Sequence, residues 1–126
     1  MGNMATVIHL SEDIEEEVII RINGVEFVTF VSFSPYVIEV NKKYPVEVSF
    51  FIDDTNVKES KASTKAMVRY GESFRYKING YLNEDGVLDV GFLIKDDVFD
   101  DYQYLYGKYV SLEVDRINSS FEVVHS

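Results

Sequence analysis

Val18-Ile19-Ile20-Arg21-Ile22-Asn23-Gly24-Val25-Glu26-Phe27-Val28-Thr29-Phe30-Val31-Ser32-Phe33 is the stretch on which the reading of this 126-residue chain turns. Before the Asn-Gly pair, Val18, Ile20 and Ile22 share one face at a period of two, with Glu17, Ile19 and Arg21 opposite, which is the pattern of a half-buried strand. Asn23 and Gly24 both tolerate positive φ, so the pair predicts a two-residue hairpin turn. After the turn, Val25, Phe27, Val31 and Phe33 lie on one face and Val28 and Phe30 on the other. A strand that is wet on one side has no reason to carry apolar residues on both. The second run is therefore expected to be covered on both faces, or bent by a bulge that exchanges its inward face midway.

Working outward, Ser34-Pro35-Tyr36 punctuates and Asn41-Lys42-Lys43 turns the chain. Val46, Val48, Phe50 and Ile52 then alternate with Glu47, Ser49 and Phe51, with Pro45 fitting as a strand's first residue. Residues 57–70 are rich in Lys, Ser and Ala. They read as a helix over Val57–Val68, capped near Thr55 or Asn56, or as a loop. Phe74, Tyr76 and Ile78 resume the alternation, and Asn79-Gly80 inside that run predicts a bulge or a barrel corner. Asn83-Glu84-Asp85-Gly86 reads as a hairpin loop leading into Leu88, Val90, Phe92 and Ile94, with Val87, Asp89 and Gly91 outward. In the last strong strand Val110, Leu112 and Val114 face in, and Tyr109, Ser111, Glu113 and Asp115 face out.

Composition agrees with strands. Val, Ile, Phe and Tyr total 46 residues against nine for Ala and Leu together, and branched and aromatic side chains suit a pleated surface. No apolar run exceeds three residues, so neither a membrane helix, which needs about 20, nor a doubly buried parallel sheet is expected. Short antiparallel strands must close or stack to hide their edges. The expected fold is all-β, a small antiparallel barrel of the OB type with about six strands and one helix or long loop between strands three and four. An up-and-down barrel or a sandwich is the alternative. The single domain is expected over 15–118. Residues 1–14 are read as a tail or short pairing segment, and 119–126 as a tail or short extra strand.

Ile22-Asn23-Gly24-Val25-Glu26-Phe27, Ser34-Pro35-Tyr36, Asp53-Asp54, Gly86-Val87-Leu88-Asp89-Val90-Gly91-Phe92 and Gly107-Lys108-Tyr109-Val110 resemble stretches of small uncharacterised bacterial OB-like β-barrel proteins. The resemblance spans roughly 15–118, implies a barrel in a bacterial cytoplasm, and carries no catalytic motif or function.

The material for chemistry is sparse. There is no cysteine, which removes disulfides, thiol nucleophiles and thiolate metal sites. His9 and His125 are the only histidines, each expected near a terminus. Asp96-Asp97 and Asp100-Asp101 flank Val98-Phe99 without EF-hand spacing, and read as solvated charge around a helix start or as a hard-cation site. Met1–Thr6 matches a myristoylation pattern, read as a tag residue or a permissive start with Met4 as the native initiator, and Asn118-Ser119-Ser120 a glycosylation sequon, read as chance. No secretory leader is expected, and the cysteine-free sequence fits a cytoplasmic compartment. The chain is expected to be no enzyme and to need no cofactor or metal.

Charge is more informative. The net charge is −10, yet residues 58–77 carry six bases and two acids. Lys58, Lys61, Lys65, Arg69, Arg75 and Lys77 interleave with Tyr70, Phe74 and Tyr76. Cationic grooves with aromatic platforms bind single-stranded nucleic acid, while a chain of net −10 opposes polyanions. Tyr102, Tyr104 and Tyr106 form an aromatic platform if that segment is extended. If it is helical from Val98, then Phe99, Tyr102, Leu105 and Tyr106 pack inward and Gly107 ends the helix. Ile19, Phe51 and the Val28/Phe30 face predict an apolar patch outside the barrel, marking an interface or a covering segment. The first expectation is a protein–protein interaction module, with self-association or another protein as partner and no membrane. Nucleic-acid binding through 58–77 comes second. Sugar binding or carboxylate-based catalysis comes third.

Overall fold

The computed structural model describes residues 2–54 and 56–123. Its strands are β1 (Asn3–Leu10), β2 (Glu17–Ile22), β3 (Val25–Phe33), β4 (Lys43–Phe51), β5 (Lys58–Glu59), β6 (Ala66–Arg69), β7 (Tyr76–Leu82), β8 (Leu88–Asp89), β9 (Leu93–Ile94), β10 (Lys108–Val114) and β11 (Arg116–Phe121). One 3₁₀ segment, Asp97–Leu105, is kinked at Tyr102. Eleven strands replace the expected six or so, and four of them are only two to four residues long.

The Asn-Gly turn forms with Asn23 at φ 49° and Gly24 at φ 80°, and it joins β2 to β3 in unbroken register from Ile22↔Val25 to Glu17↔Phe30. Five strands then close on themselves in the order β1-β2-β3-β11-β4, with β4 returning to β1. One pairing in this ring is parallel, β3 with β11, so the expectation of purely antiparallel strands is corrected. That pairing reflects the long excursion of residues 52–115 between β4 and β11, which brings the chain back in the direction of β3. Period-two alternation sends Ala5, Val7, Val18, Ile20, Ile22, Phe27, Val46, Val48, Ile117 and Phe121 into the buried interior. Thr29 and Ser119 are buried polar exceptions. Thr29 Oγ1 donates to Ile117 O at 2.9 Å, so Ser119 Oγ supplies the proton of their 2.6 Å contact.

The excursion builds a second sheet in the order β5-β10-β7-β8-β9, with β6 also on β7. Tyr76, Ile78, Leu82, Val110, Leu112 and Val114 are its buried face. This sheet explains the doubly apolar β3. Val31 N–H bonds back to Glu16 O on the β2 side, so by alternation Val28 N–H points away from β2. There it donates to Tyr76 Oη at 2.8 Å. The Phe74 ring meets Phe30 edge-on at 5.7 Å, and the Arg116 guanidinium lies 4.0 Å from the Phe30 ring and 4.7 Å from the Phe51 ring. β3 is thus covered over Val28 and Phe30 and keeps its register against β2, but it shifts by one residue at Ser32 against β11, the irregularity expected of a bulge, and of the predicted patch Phe51 stays 44% exposed.

Several local expectations change. No helix forms over 57–68. β5 and β6 instead supply edges to β10 and β7, and Asn79 Nδ2 pins the connection by donating to Ala62 O and Thr64 O. The weak apolar stripe of that segment yields to neighbouring edges that lack partners. The Thr55 cap lies outside the described residues. Asn79-Gly80 makes no bulge, since the β7–β10 ladder is continuous from Tyr76↔Val114 to Leu82↔Lys108. Glycine is needed at position 80 because a Cβ would sit 2.7 Å from Asp89 O. The run Leu88–Ile94 breaks between β8 and β9, where Val90 N–H bonds to Phe92 O, and Val87 is buried rather than outward.

Candidate functional site

The two ends of the five-stranded ring are finished differently. At the end formed by the start of β1, the β2–β3 turn and the close of β4, the excursion acts as a plug. Phe92 stacks on Phe27 at 5.5 Å and Phe99 meets Phe50 edge-on at 6.4 Å. Asn3 Nδ2 donates to Leu93 O at 3.0 Å, and Phe50 N–H donates to Asp96 Oδ2 at 2.8 Å while Asp96 Oδ1 caps Val98 N–H. Asp96 is therefore committed to structure through both carboxylate oxygens. Among the described residues no group of three His, Asp or Glu side chains is placed to hold a metal ion.

The other end is a mouth between the β1–β2 loop and residues 34–42. Tyr36 reaches across it, stacked on Tyr44 at 5.3 Å, with Tyr44 in turn on Phe121, and Tyr36 Oη donates to Glu122 O at 2.7 Å. Burial pushes the Tyr36 phenol above its ordinary range, and the neighbouring Tyr44 and Glu122 add to the shift. Beside this tether runs a groove of about 560 Å³, lined by Leu10, Val18, Val31, Phe33, Val37 and Ile38 with Glu15 and Glu16 on its rim. Phe33 is 55% exposed and Val37 87% exposed. Sequence reading passed over this site because it joins residues 10–18 to residues 31–38 across the ring. The available signal was an apolar segment, Val37-Ile38, following Ser34-Pro35 with no alternation to bury it.

The six basic residues of 58–77 do not act as one patch. Lys65 Nζ pairs with Asp89 at 2.9 Å, Arg69 turns to Glu17 at 3.5 Å, and Arg75 lies 4.0 Å from Glu113 and 3.9 Å from Asp115. Lys58, Lys61 and Lys77 make no ion pair among the described residues. Lys58 and Lys77 border a polar recess of about 280 Å³ with Asn56, Ser111 and Glu113 on the second sheet. On that sheet Tyr81 and Tyr109, directly opposite in register, approach to 5.3 Å. This aromatic pair was missed because its members sit 28 positions apart. Burial disfavours the charged form of the Asp89 carboxyl, but hydrogen bonds from Lys65 and Gly91 N–H outweigh it, so its pKa falls below the ordinary value. Lys65 is correspondingly raised, chiefly by its hydrogen bond to Asp89.

Tyr102 and Tyr104 lie in the 3₁₀ segment Asp97–Leu105, with Tyr106 as its extended cap, so the extended three-tyrosine platform does not form. Phe99 and Leu105 are buried, as the helical reading expected. Tyr102 and Tyr104 rings are 6.1 Å apart and tilted by 41°, with Tyr104 70% exposed. Tyr106 instead covers Gly86 and donates to Phe99 O at 3.1 Å. His9 is exposed on β1 rather than in a tail, and His125 lies outside the described residues.

Residues 1–122 match the model of a family described as Uncharacterised conserved protein UCP019853. No curated protein and no solved structure matches the chain. No helix among the described residues is long and apolar enough to cross a membrane.

Proposed function

We propose that this chain, which belongs to the uncharacterised conserved family matched over residues 1–122, is a non-enzymatic OB-like module that works by protein–protein contact at the mouth of its ring. The wiring favours the OB reading. Counting ring members in chain order, the third runs parallel to the fifth, and the order is first, second, third, fifth, fourth. OB modules take oligonucleotides on the face of strands two and three and on the adjoining loops. Here Tyr76, Phe74 and Arg116 occupy the outer side of β3, which turns that surface into core. The observation that carries the proposal is the exposure of Phe33 and Val37 beside a groove that the described residues leave uncovered. Contiguous apolar surface of this kind marks contact sites. A bacterial cytoplasm is the compartment that the resemblance and the cysteine-free sequence favour.

A photo-crosslinking side chain at position 37 tests this in the native source. A discrete protein adduct is expected from position 37 and none from position 104, which is also largely exposed but away from the mouth. Equal labelling from both positions would defeat the proposal. A second reading, single-stranded nucleic acid on the second sheet, is favoured by the Tyr81–Tyr109 pair near Lys58 and Lys77. It requires oligonucleotide retention on a filter at low salt that falls steeply with added salt and disappears in Lys58→Ala with Lys77→Ala.

A further inference from the structure

We infer that the occupant of the ring mouth is a basic peptide segment that anchors two bulky apolar side chains in the groove and lays lysine or arginine against its rim. This rests on the reading of the mouth as a docking surface. Three observations on the groove give the chemistry. Its rim is acidic on one side, where Glu15 and Glu16 line it within a run, Ser11-Glu12-Asp13-Ile14-Glu15-Glu16-Glu17, that holds five carboxylates and no base. Glu17 is paired with Arg69, whereas Glu12, Asp13, Glu15 and Glu16 make no ion pair among the described residues. No lysine or arginine lines the groove, so the complementary charge has to arrive with the partner.

The floor is apolar and pre-formed, since Val18 is buried and Leu10, Val31 and Ile38 are half-buried. Phe33 and Val37 line the groove as exposed apolar side chains, which suits two apolar anchors. The third observation selects a peptide over a lipid or a small molecule. The β2 ladder ends at Glu17↔Phe30 and Val31 N–H still bonds to Glu16 O, so only Ser32 and Phe33 of β3 run on past β2. A strand edge offers main-chain groups to another main chain. An anionic bilayer is repelled by the same four carboxylates.

The test is selection from a randomised library of linear displayed peptides against the full chain at low salt, followed by titration of a labelled synthetic member of the enriched pool. The expected pool carries Lys or Arg around two bulky apolar residues. Its representative should weaken by about tenfold in Phe33→Ser or Val37→Ser. It should weaken by about threefold in Glu15→Gln with Glu16→Gln, with binding that falls as salt rises. These positions are exposed, so unchanged circular dichroism and melting separate lost binding from lost fold. A pool without excess positive charge, insensitive to Glu15→Gln with Glu16→Gln but lost in Phe33→Ser, overturns the basic partner and leaves the docking reading standing. No enrichment, or a pool indifferent to both Phe33→Ser and Val37→Ser, overturns both. A dimer seen by light scattering that dissociates in Phe33→Ser makes a second copy the occupant and also overturns the inference.

Discussion

One end of the ring is sealed and the other is left open, although the same five strands run through both. At the sealed end, residues 52–115 return aromatic side chains into the barrel opening, with Phe92 on Phe27 and Phe99 on Phe50. At the open end, residues 34–42 span the gap through Tyr36 on Tyr44 and Glu122 O and through Asn41 and Lys42 bonded to Val7, while Phe33 and Val37 stay in solvent. Apolar residues at the first end are held by packing and contribute to stability. Those at the second make few internal contacts, so substitutions there are expected to spare the fold and, on the docking proposal, to weaken partner binding instead. Exposure, not residue type, separates core from surface in this molecule.

The largest effect that would sharpen this contrast is at the plug. Phe99→Ala removes a fully buried ring and should cost about 3–5 kcal/mol, read as a lower urea midpoint with little change in slope. A change near zero would mean that the plug is not part of the core. Tyr76→Phe is expected to come next. It keeps the ring but strips the acceptor from the buried Val28 N–H, and should cost about 1–3 kcal/mol in the same titration. Phe33→Ser and Val37→Ser should move the midpoint by only about 0.5 kcal/mol or less. A loss comparable to Phe99→Ala would erase the distinction between the ends.

The smallest effect concerns the second sheet and is a pH dependence. Asp89 is depressed in the folded state, so its contribution is present above the ordinary carboxylate pKa, about 3.9, and is lost as pH falls through the folded value. Lys65 is raised, so its contribution holds below the ordinary lysine range and is lost as pH rises through the folded value. The stability difference between the wild type and Asp89→Asn should therefore be steady at neutral pH and shrink under acid. A difference that grows on acidification would show that the pair does not act as described.

Legibility in the sequence followed range of interaction. The β2–β3 hairpin was readable because a turn preference and two alternating runs lie within 17 consecutive residues, Glu17–Phe33. The inward faces of β4, β7 and β10 were readable for the same reason. β1 and β11 were barely visible. Asn118, Ser119 and Ser120 have no apolar pattern, yet β11 is held between β3 and β4 by main-chain pairing and the Thr29–Ser119 contact. The 57–70 segment misled because its weak helical stripe competes with strand edges, one 7 to 13 positions away for β6 and one 51 to 53 positions away for β5. The basic residues could be counted, but not the fact that Lys65, Arg69 and Arg75 turn to carboxylates supplied by β8, β2 and β10 or its following turn.

Local order therefore settled that this is a β protein, where its first hairpin lies, and that β3 needs cover on both faces or a bulge. Side-chain period and turn stereochemistry act over a few residues, and they survive in the chain without any fold. Closure of the ring, the parallel return of β11, the plug at one end and the groove at the other were decided only in three dimensions. Each depends on which distant edges and faces meet, and no local pattern encodes that choice.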